Sequence, residues 1–393
     1  MNILLCSWHS VSEPGLTNAL RRHFENVYVF DCEYTSIDFD TNYIKALSDC
    51  FSANPDIDYC ISVNFLPIIA KVCHIHHKPY FSWVYDSPSL SLYSNTLSFD
   101  TNFVFSIDKA QTERFSHINP GHIFHLPMCA SLENCSMLHI TEEDHNRFDC
   151  DISFVGSLYT EKCDFRYDAI SKKISSYLNG YMEGLVRAQL NVYGYNFLID
   201  SLNSSMAEEY FSYTDLSLPP EYEADIKEIV AHFYLGYKCS SLERINAIRA
   251  IGEIFPISVY TNSDFSPLNK PTVLPLISNC GTVNYNTELP KVYKCSKINL
   301  NITTKTNQTG IPSRVFDIMA AGGFVISNYQ SEIPEYFTPG EDIVLYDSIP
   351  DLLQKIDYYL NHEEERLTIA KNGYQKVKTH HTFDNRLSLM FGI

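Results

Sequence analysis

The chain has 393 residues, enough for two or three domains with large cores, and 45% of them are hydrophobic. Its 29 Lys and Arg stand against 47 Asp and Glu, and the formal net charge of −18 argues against nucleic acid or an anionic membrane as the main partner. Twelve cysteines are scattered without a regular framework, and Cys6, Cys60 and Cys73 lie inside apolar runs, which fits reduced thiols in a cytoplasmic protein.

The run Met1-Asn-Ile-Leu-Leu-Cys-Ser7 is too short for the apolar core of a signal sequence and reads as a first strand. Strand and helix then alternate: strands at 2–6, 27–31, 58–63, 79–84, 103–106 and 122–126, helices at 15–24, 43–51 and 67–74. Strands separated by helices of about ten residues predict a parallel doubly wound sheet, in which ligands sit beyond the carboxyl ends of the strands. The polar run from Thr141 to Asn146 reads as a linker. It divides a first Rossmann-like domain, 1–145, from a second, 146–378, leaving 379–393 as a terminal helix. The second α/β unit opens with a strand at 150–155 running into a Gly-Ser turn. Residues 162–250 read as a helical insertion, broken by a polar stretch at 212–220. Strands return at 257–261, 283–285, 298–302, 324–326 and 343–346, and helices follow at 349–361 and 363–380. No apolar run is long enough to span a bilayer.

The most informative stretch is Gly310-Ile-Pro-Ser-Arg-Val-Phe-Asp-Ile-Met-Ala-Ala-Gly-Gly-Phe-Val-Ile-Ser327. Gly310 and Pro312 punctuate a helix start, and Val315, Ile318 and Met319 form its buried face. Gly322 and Gly323 stop the helix before a buried strand. Ser313, Arg314 and Asp317 are left near the helix start, where a cation, a carboxylate and backbone N–H groups together suit a phosphorylated, hydroxyl-rich ligand. An Arg–Asp surface pair on an ordinary crossover helix fits the same stretch. Gly156 and Ser157, after the first strand of the second half, let backbone and a hydroxyl approach a phosphate, with Lys162 and Arg166 close behind. Asn262 and Tyr285 are placed on the rim where a base and ribose would rest, and Tyr285 as a core tyrosine is the other reading. Lys297 is either a surface charge or a phosphate contact.

On the first half, Asp86 ends a strand in Asp86-Ser-Pro88. It either orients an acceptor hydroxyl or forms an Asx turn before the proline. His9 and Glu13 follow the first strand as candidate bases, and Glu13 also suits a helix N-terminus. The run Cys73-His-Ile-His-His77 has no second ligand pair at zinc spacing, and the Asp-x-Asp pairs lie in a polar loop or at strand starts. No divalent metal is therefore expected.

The stretch 310–327 resembles the donor-binding helix of GT-B glycosyltransferases, enzymes with two facing Rossmann-like domains. In many of these a Glu before the helix touches the donor sugar and a second Glu, eight positions later, holds the ribose. Asp317 matches the second and Thr309 stands at the first. Ser12-Glu-Pro14, Trp83-Val-Tyr-Asp-Ser-Pro88, Asp151-Ile-Ser-Phe-Val-Gly-Ser-Leu-Tyr159, Ser313-Arg-Val-Phe-Asp317 and the tail from Tyr358 to Phe383 occur in order, a set similar to the spore-maturation-protein (CgeB-like) glycosyltransferases. The resemblance implies a metal-independent enzyme that moves a sugar from a nucleotide-diphosphate sugar, with a UDP-sugar favoured, to a glycan, protein or small-molecule hydroxyl in the interdomain cleft. It implies no further cofactor and a last helix that returns to the first domain. It places Gly156, Ser157, Asn262, Tyr285, Thr309, Gly310, Ser313, Arg314 and Asp317 on the donor, and Asp86, His9 and Glu13 on the acceptor. A nucleotide-sugar epimerase and a non-catalytic nucleotide-sugar-binding protein of the same fold are the alternatives.

Overall fold

A computed structural model describes residues 1–136, 138–164, 166–269 and 276–392. The chain divides into two compact units, each built on its own six-stranded, all-parallel sheet. The first unit holds residues 1–131, 218–223 and 381–392, and the second holds 132–217 and 224–380.

In the first unit β1 (Asn2–Ser7), β2 (Asn26–Asp31), β3 (Tyr59–Val63), β4 (Tyr80–Val84), β5 (Asn102–Ser106) and β6 (Ile123–His125) lie in the order β2-β1-β3-β4-β5-β6. β3 and β4 are buried along nearly their whole length, as strands covered on both faces must be. Helices Glu13–His23, Thr41–Ala53, Pro67–Ile75 and Lys109–Phe115 make the crossovers. The last of these is absent from the sequence reading; it is short and starts on Asp108, whose carboxylate accepts the N–H of Ala110.

The terminal helix Phe383–Phe391 belongs to this unit. Asp384 pairs with Arg22 at 2.9 Å, Arg386 donates to the carbonyls of Pro127 and Met128, and Phe391 lies 4.4 Å from the Phe81 ring. So do residues 218–223 of the insertion: Tyr222 donates to Asp38 at 2.6 Å, and Asn95 N–H to the Glu221 carbonyl.

In the second unit β7 (Cys150–Val155), β8 (Ile257–Tyr260), β9 (Ile277–Asn279), β10 (Ser296–Asn301), β11 (Val325–Asn328) and β12 (Val344–Tyr346) take the order β12-β11-β10-β7-β8-β9. Its core gathers Ile152 and Phe154 of β7, Val259 of β8, Leu300 of β10 and Ile326 of β11 with Ile248 and Ile251 of helix Tyr237–Gly252. Between β7 and β8 the chain runs through successive helices, and a π-helical turn, Ala231–Gly236, precedes Tyr237–Gly252.

Two local expectations fail. The run Thr141 to Asn146 is not a linker but the start of helix Glu142–Phe148. Thr141 and Asp144 form a reciprocal capping box, and Lys291 fixes Asp144 at 2.8 Å. Residues 283–285 are not a strand. Asn284 accepts the N–H groups of Asn286 and Thr287 and donates its own to Glu288, so local turn bonds replace a ladder. Among the described residues no helix is long and apolar enough to cross a membrane, and all twelve cysteines are free thiols.

Candidate functional site

The carboxyl ends of the second sheet concentrate positive charge around one glycine. Helix Ser313–Ala320 begins at Pro312, which offers no side-chain cap, and ends where Gly322 adopts φ +71°. Its apolar stripe buries Val315, Ile318 and Met319 and leaves Arg314 and Asp317 on the other face. The Arg314 guanidinium donates to Asn301 Oδ1 at 3.0 Å, an oxygen held at the end of β10. Asn301 is itself fixed by Thr303 and Ser327, so Arg314 is aimed by a buried amide. The other arm of Arg314 lies over the turn after β7. A Cβ at Gly156 would sit 2.5 Å from Nη2, and Gly156 has φ +150°, so this turn accepts only glycine without displacing Arg314.

A second guanidinium, unforeseen from the sequence, stands beside it. Arg244, buried in helix Tyr237–Gly252, donates to the carbonyls of Ser157 at 2.6 Å and Ile302 at 2.7 Å. Burial, with the Arg314 charge acting in the same direction, brings Arg244 down to about 10. The ring of Tyr159 (φ +60°) lies between Arg244, 4.6 Å away, and Lys162, 4.7 Å away. A glycine turn, two neighbouring guanidinia and an uncapped helix start make a locus for a multiply charged anion.

Asp317 keeps a partly exposed edge, but its carboxyl is enclosed densely enough that burial pushes it up to about 7, against the opposing effects of Tyr285 and Arg314. Tyr285 donates to Asp317 Oδ2 at 3.1 Å, so two residues read separately from the sequence meet. Ser157 donates to Glu161 at 2.7 Å and accepts the N–H of Tyr159, which commits its hydroxyl to the turn. Asn262 is exposed on the neighbouring loop, where Ser263 donates to Ser157 Oγ at 3.2 Å. Lys297 pairs with Asp151 at 2.7 Å at the strand starts and is a surface charge.

The segment from Thr303 to Pro312, which delivers Gly310 and Ser313, is clamped from two sides. From the last residue of β11 onward, every second residue holds it: Asn328 bonds Thr303, Gln330 donates to the Asn307 carbonyl, and Glu332 accepts the Thr309 hydroxyl at 2.6 Å. Facing these, Ser240 accepts the Lys305 N–H, Asn196 donates to its carbonyl, and its ammonium meets buried Glu243 at 3.2 Å. Burial raises the Glu243 carboxyl, with Lys305 opposing. Thr309 thus carries a buried carboxylate partner from another loop, although it is not itself an acid.

The carboxyl ends of the first sheet are organised differently. Glu13 is buried, and its carboxylate accepts the Ser7 hydroxyl at 2.5 Å and the N–H groups of Trp8 and Ser10, both at 3.1 Å. It shapes the loop that presents His9, a residue with φ +63° whose Nε2 lies 3.2 Å from Asp31 at the end of β2. Asp86 is exposed and accepts the side-chain amide of Asn64 at 2.8 Å. Asn64, unread in the sequence, has φ +61° and also caps the N–H groups of Tyr85 and Asp86.

Comparison with known proteins accords with this geometry. Residues 248–392 match a family described as glycosyl transferase-like. No curated protein matches the chain. Anabaena HepE, crystallised with UDP and glucose, is similar at TM-score 0.55 and 10% identity over 100% of this chain and 99% of its own. A glycosyltransferase of Rickettsia africae is similar at TM-score 0.56 and 10% identity over 99% and 96%. Sucrose-phosphate synthase of Thermosynechococcus elongatus is similar at TM-score 0.54 and 10% identity over 99% and 97%. From end to end the chain has the GT-B glycosyltransferase fold, and its residues 248–392 carry the glycosyl transferase-like match.

Proposed function

We propose that the protein is a metal-independent glycosyltransferase, akin to the spore-maturation-protein family, that transfers a sugar from a nucleotide-diphosphate donor to a hydroxyl-bearing acceptor. The observation that carries this reading is Arg314 lying against Gly156, one helical turn from Asp317. Arg314, Arg244 and the Gly156-Ser157 backbone take the diphosphate, while Asp317 and Tyr285 take the ribose and Asn262 the rim. The guanidinia stabilise the charge that develops on the leaving diphosphate, as preorganised electrostatics. HepE has been crystallised with UDP-glucose, which makes a UDP-sugar the favoured donor class.

The acceptor side belongs to the first unit. His9 with Asp31 behind it is an oriented base, Asp86 a second carboxylate able to position a hydroxyl, and Glu13 the group that shapes the loop of His9. Thr309 and Gly310 set the start of the donor helix, with Ser313 at its first turn.

Thermal unfolding with UDP, GDP and ADP tests the reading, since a ligand at a hundred times its dissociation constant adds about 2.7 kcal/mol. A shift with UDP is expected, and no shift or calorimetric binding with any nucleotide diphosphate sinks the reading. Turnover of UDP-sugar to its epimer without acceptor would assign an epimerase instead.

A further inference from the structure

At the other end of the second sheet, where β7 and β10 begin, three metal-ligating side chains converge. His145 lies in helix Glu142–Phe148, Asp149 caps that helix, and Cys295 ends helix Leu289–Cys295. Their ligand atoms all lie within 4.8 Å of one another, the one such group of three among the described residues. His145 Nδ1 is already 2.9 Å from Asp149 Oδ1.

The backbone beneath these side chains is held by other contacts. Lys291 meets Asp144 at 2.8 Å and Arg147 meets Glu288 at 2.6 Å, tying the two helices together. A surface cavity of about 600 Å³ opens at the same place, with Asp149, Cys150, Cys295 and Lys297 in its wall.

We propose that His145, Asp149 and Cys295 bind a zinc ion. One imidazole nitrogen, one carboxylate oxygen and one thiolate sulfur suit zinc, whereas magnesium and calcium take oxygen ligands. Bonds of about 2.0–2.3 Å place tetrahedral ligands roughly 3.3–3.5 Å apart, so side-chain rotation of about an ångström closes the site. Binding releases the Cys295 thiol proton to solvent and forms a zinc–thiolate bond; no electron moves. Water from the open cavity completes the fourth position. The six residues of β7 separate this site from Gly156 by about 20 Å, so the ion pins helix Glu142–Phe148 to helix Leu289–Cys295 and takes no part in the donor site.

The test is a cobalt(II) titration of the chelator-treated full chain, followed by displacement with zinc. One equivalent of cobalt is expected to produce a thiolate-to-metal absorption band that zinc removes. Cys295→Ser should abolish the band, Cys280→Ser at the exposed cysteine should leave it, and His145→Ala should weaken binding by about tenfold or more. Both His145 and Asp149 are exposed, so the His145 variant keeps its fold and reads binding alone. No band at one equivalent, or a band undiminished in Cys295→Ser, overturns the proposal.

Discussion

Two sheets of the same size and strand direction end in loops of opposite chemistry. At the ends of β1 to β4 of the first unit come a buried glutamate, a His–Asp pair and an Asn–Asp pair. After β7 and β10 of the second come a glycine turn, two guanidinia and a carboxyl pushed up by burial. The backbones differ little in kind, since both edges place residues at positive φ just beyond a strand, His9 and Asn64 in one and Tyr159 in the other. Function therefore follows from which side chains the strand ends carry and what holds them. Acids in the first unit are held by backbone N–H groups and an amide, whereas cations in the second are held by carbonyls, an amide and aromatic faces. On the proposed function, the first edge would receive the acceptor hydroxyl and the second the donor's diphosphate.

The contrast is broken most decisively at Arg314. Arg314→Ala is expected to weaken UDP binding by about 10- to 150-fold, the worth of a charge-assisted bond of about 1.5–3 kcal/mol, with little change in the unfolding midpoint. Calorimetry with UDP measures it, and an affinity within twofold of wild type would place the anion elsewhere. Gly156→Ala probes the same contact from below. Its Cβ must push Nη2 away, and UDP affinity should fall about tenfold, roughly 1.4 kcal/mol, while Arg314→Ala in that background adds little. Full additivity of the two would show that the glycine and the guanidinium act separately.

The first unit should answer in stability. Glu13→Gln keeps the shape but replaces one accepting oxygen by a donor facing an N–H or the Ser7 hydroxyl. It should cost about 1–2 kcal/mol in urea unfolding and leave UDP affinity unchanged. A loss of UDP affinity without a loss of stability would contradict the division of labour between the two edges.

What was legible in the sequence was what is local. Helix Ser313–Ala320, its buried stripe and its glycine stop follow from spacing alone, and so do the apolar strands on either side. Arg244, Glu243 and Lys305 were not legible. A charged pair on a helix normally marks a solvated face, and only the packing of that helix beneath the Ser157 turn buries it. Asn64 is silent too, because nothing in Ser-Val-Asn-Phe distinguishes a loop amide from one that ties two strand ends together. Thr141 is a different case. The Thr-x-x-Asp pattern of a capping box is present, but the polar composition around it favours a linker. Around Tyr285 the expected strand gives way because the Asx turn at Asn284 outcompetes a three-residue strand.

The smallest expected effect is also the one that separates ligand chemistry from structure at Asp317. Its carboxyl titrates near 7 in the fold, above the usual 3.8, with burial as the main cause. The folded state therefore binds the proton more tightly than the unfolded chain does, so this residue's contribution is most favourable at low pH and declines as pH rises from about 4 to about 7. Asp317→Asn removes that titration, and at pH 8 the variant should unfold at a higher temperature than wild type, with the gap narrowing as pH falls and closing only near pH 4. Nucleotide binding should carry the opposite sign. Ribose hydroxyls donate to an ionised carboxylate, so UDP affinity of the wild type should rise between pH 6 and pH 8 by up to about tenfold more than that of Asp317→Asn. Comparing the two proteins cancels the titration of the phosphate itself. Parallel profiles for UDP binding, together with the divergent stability profiles, would make Asp317 a buried structural acid and leave Arg314 to hold the donor without it.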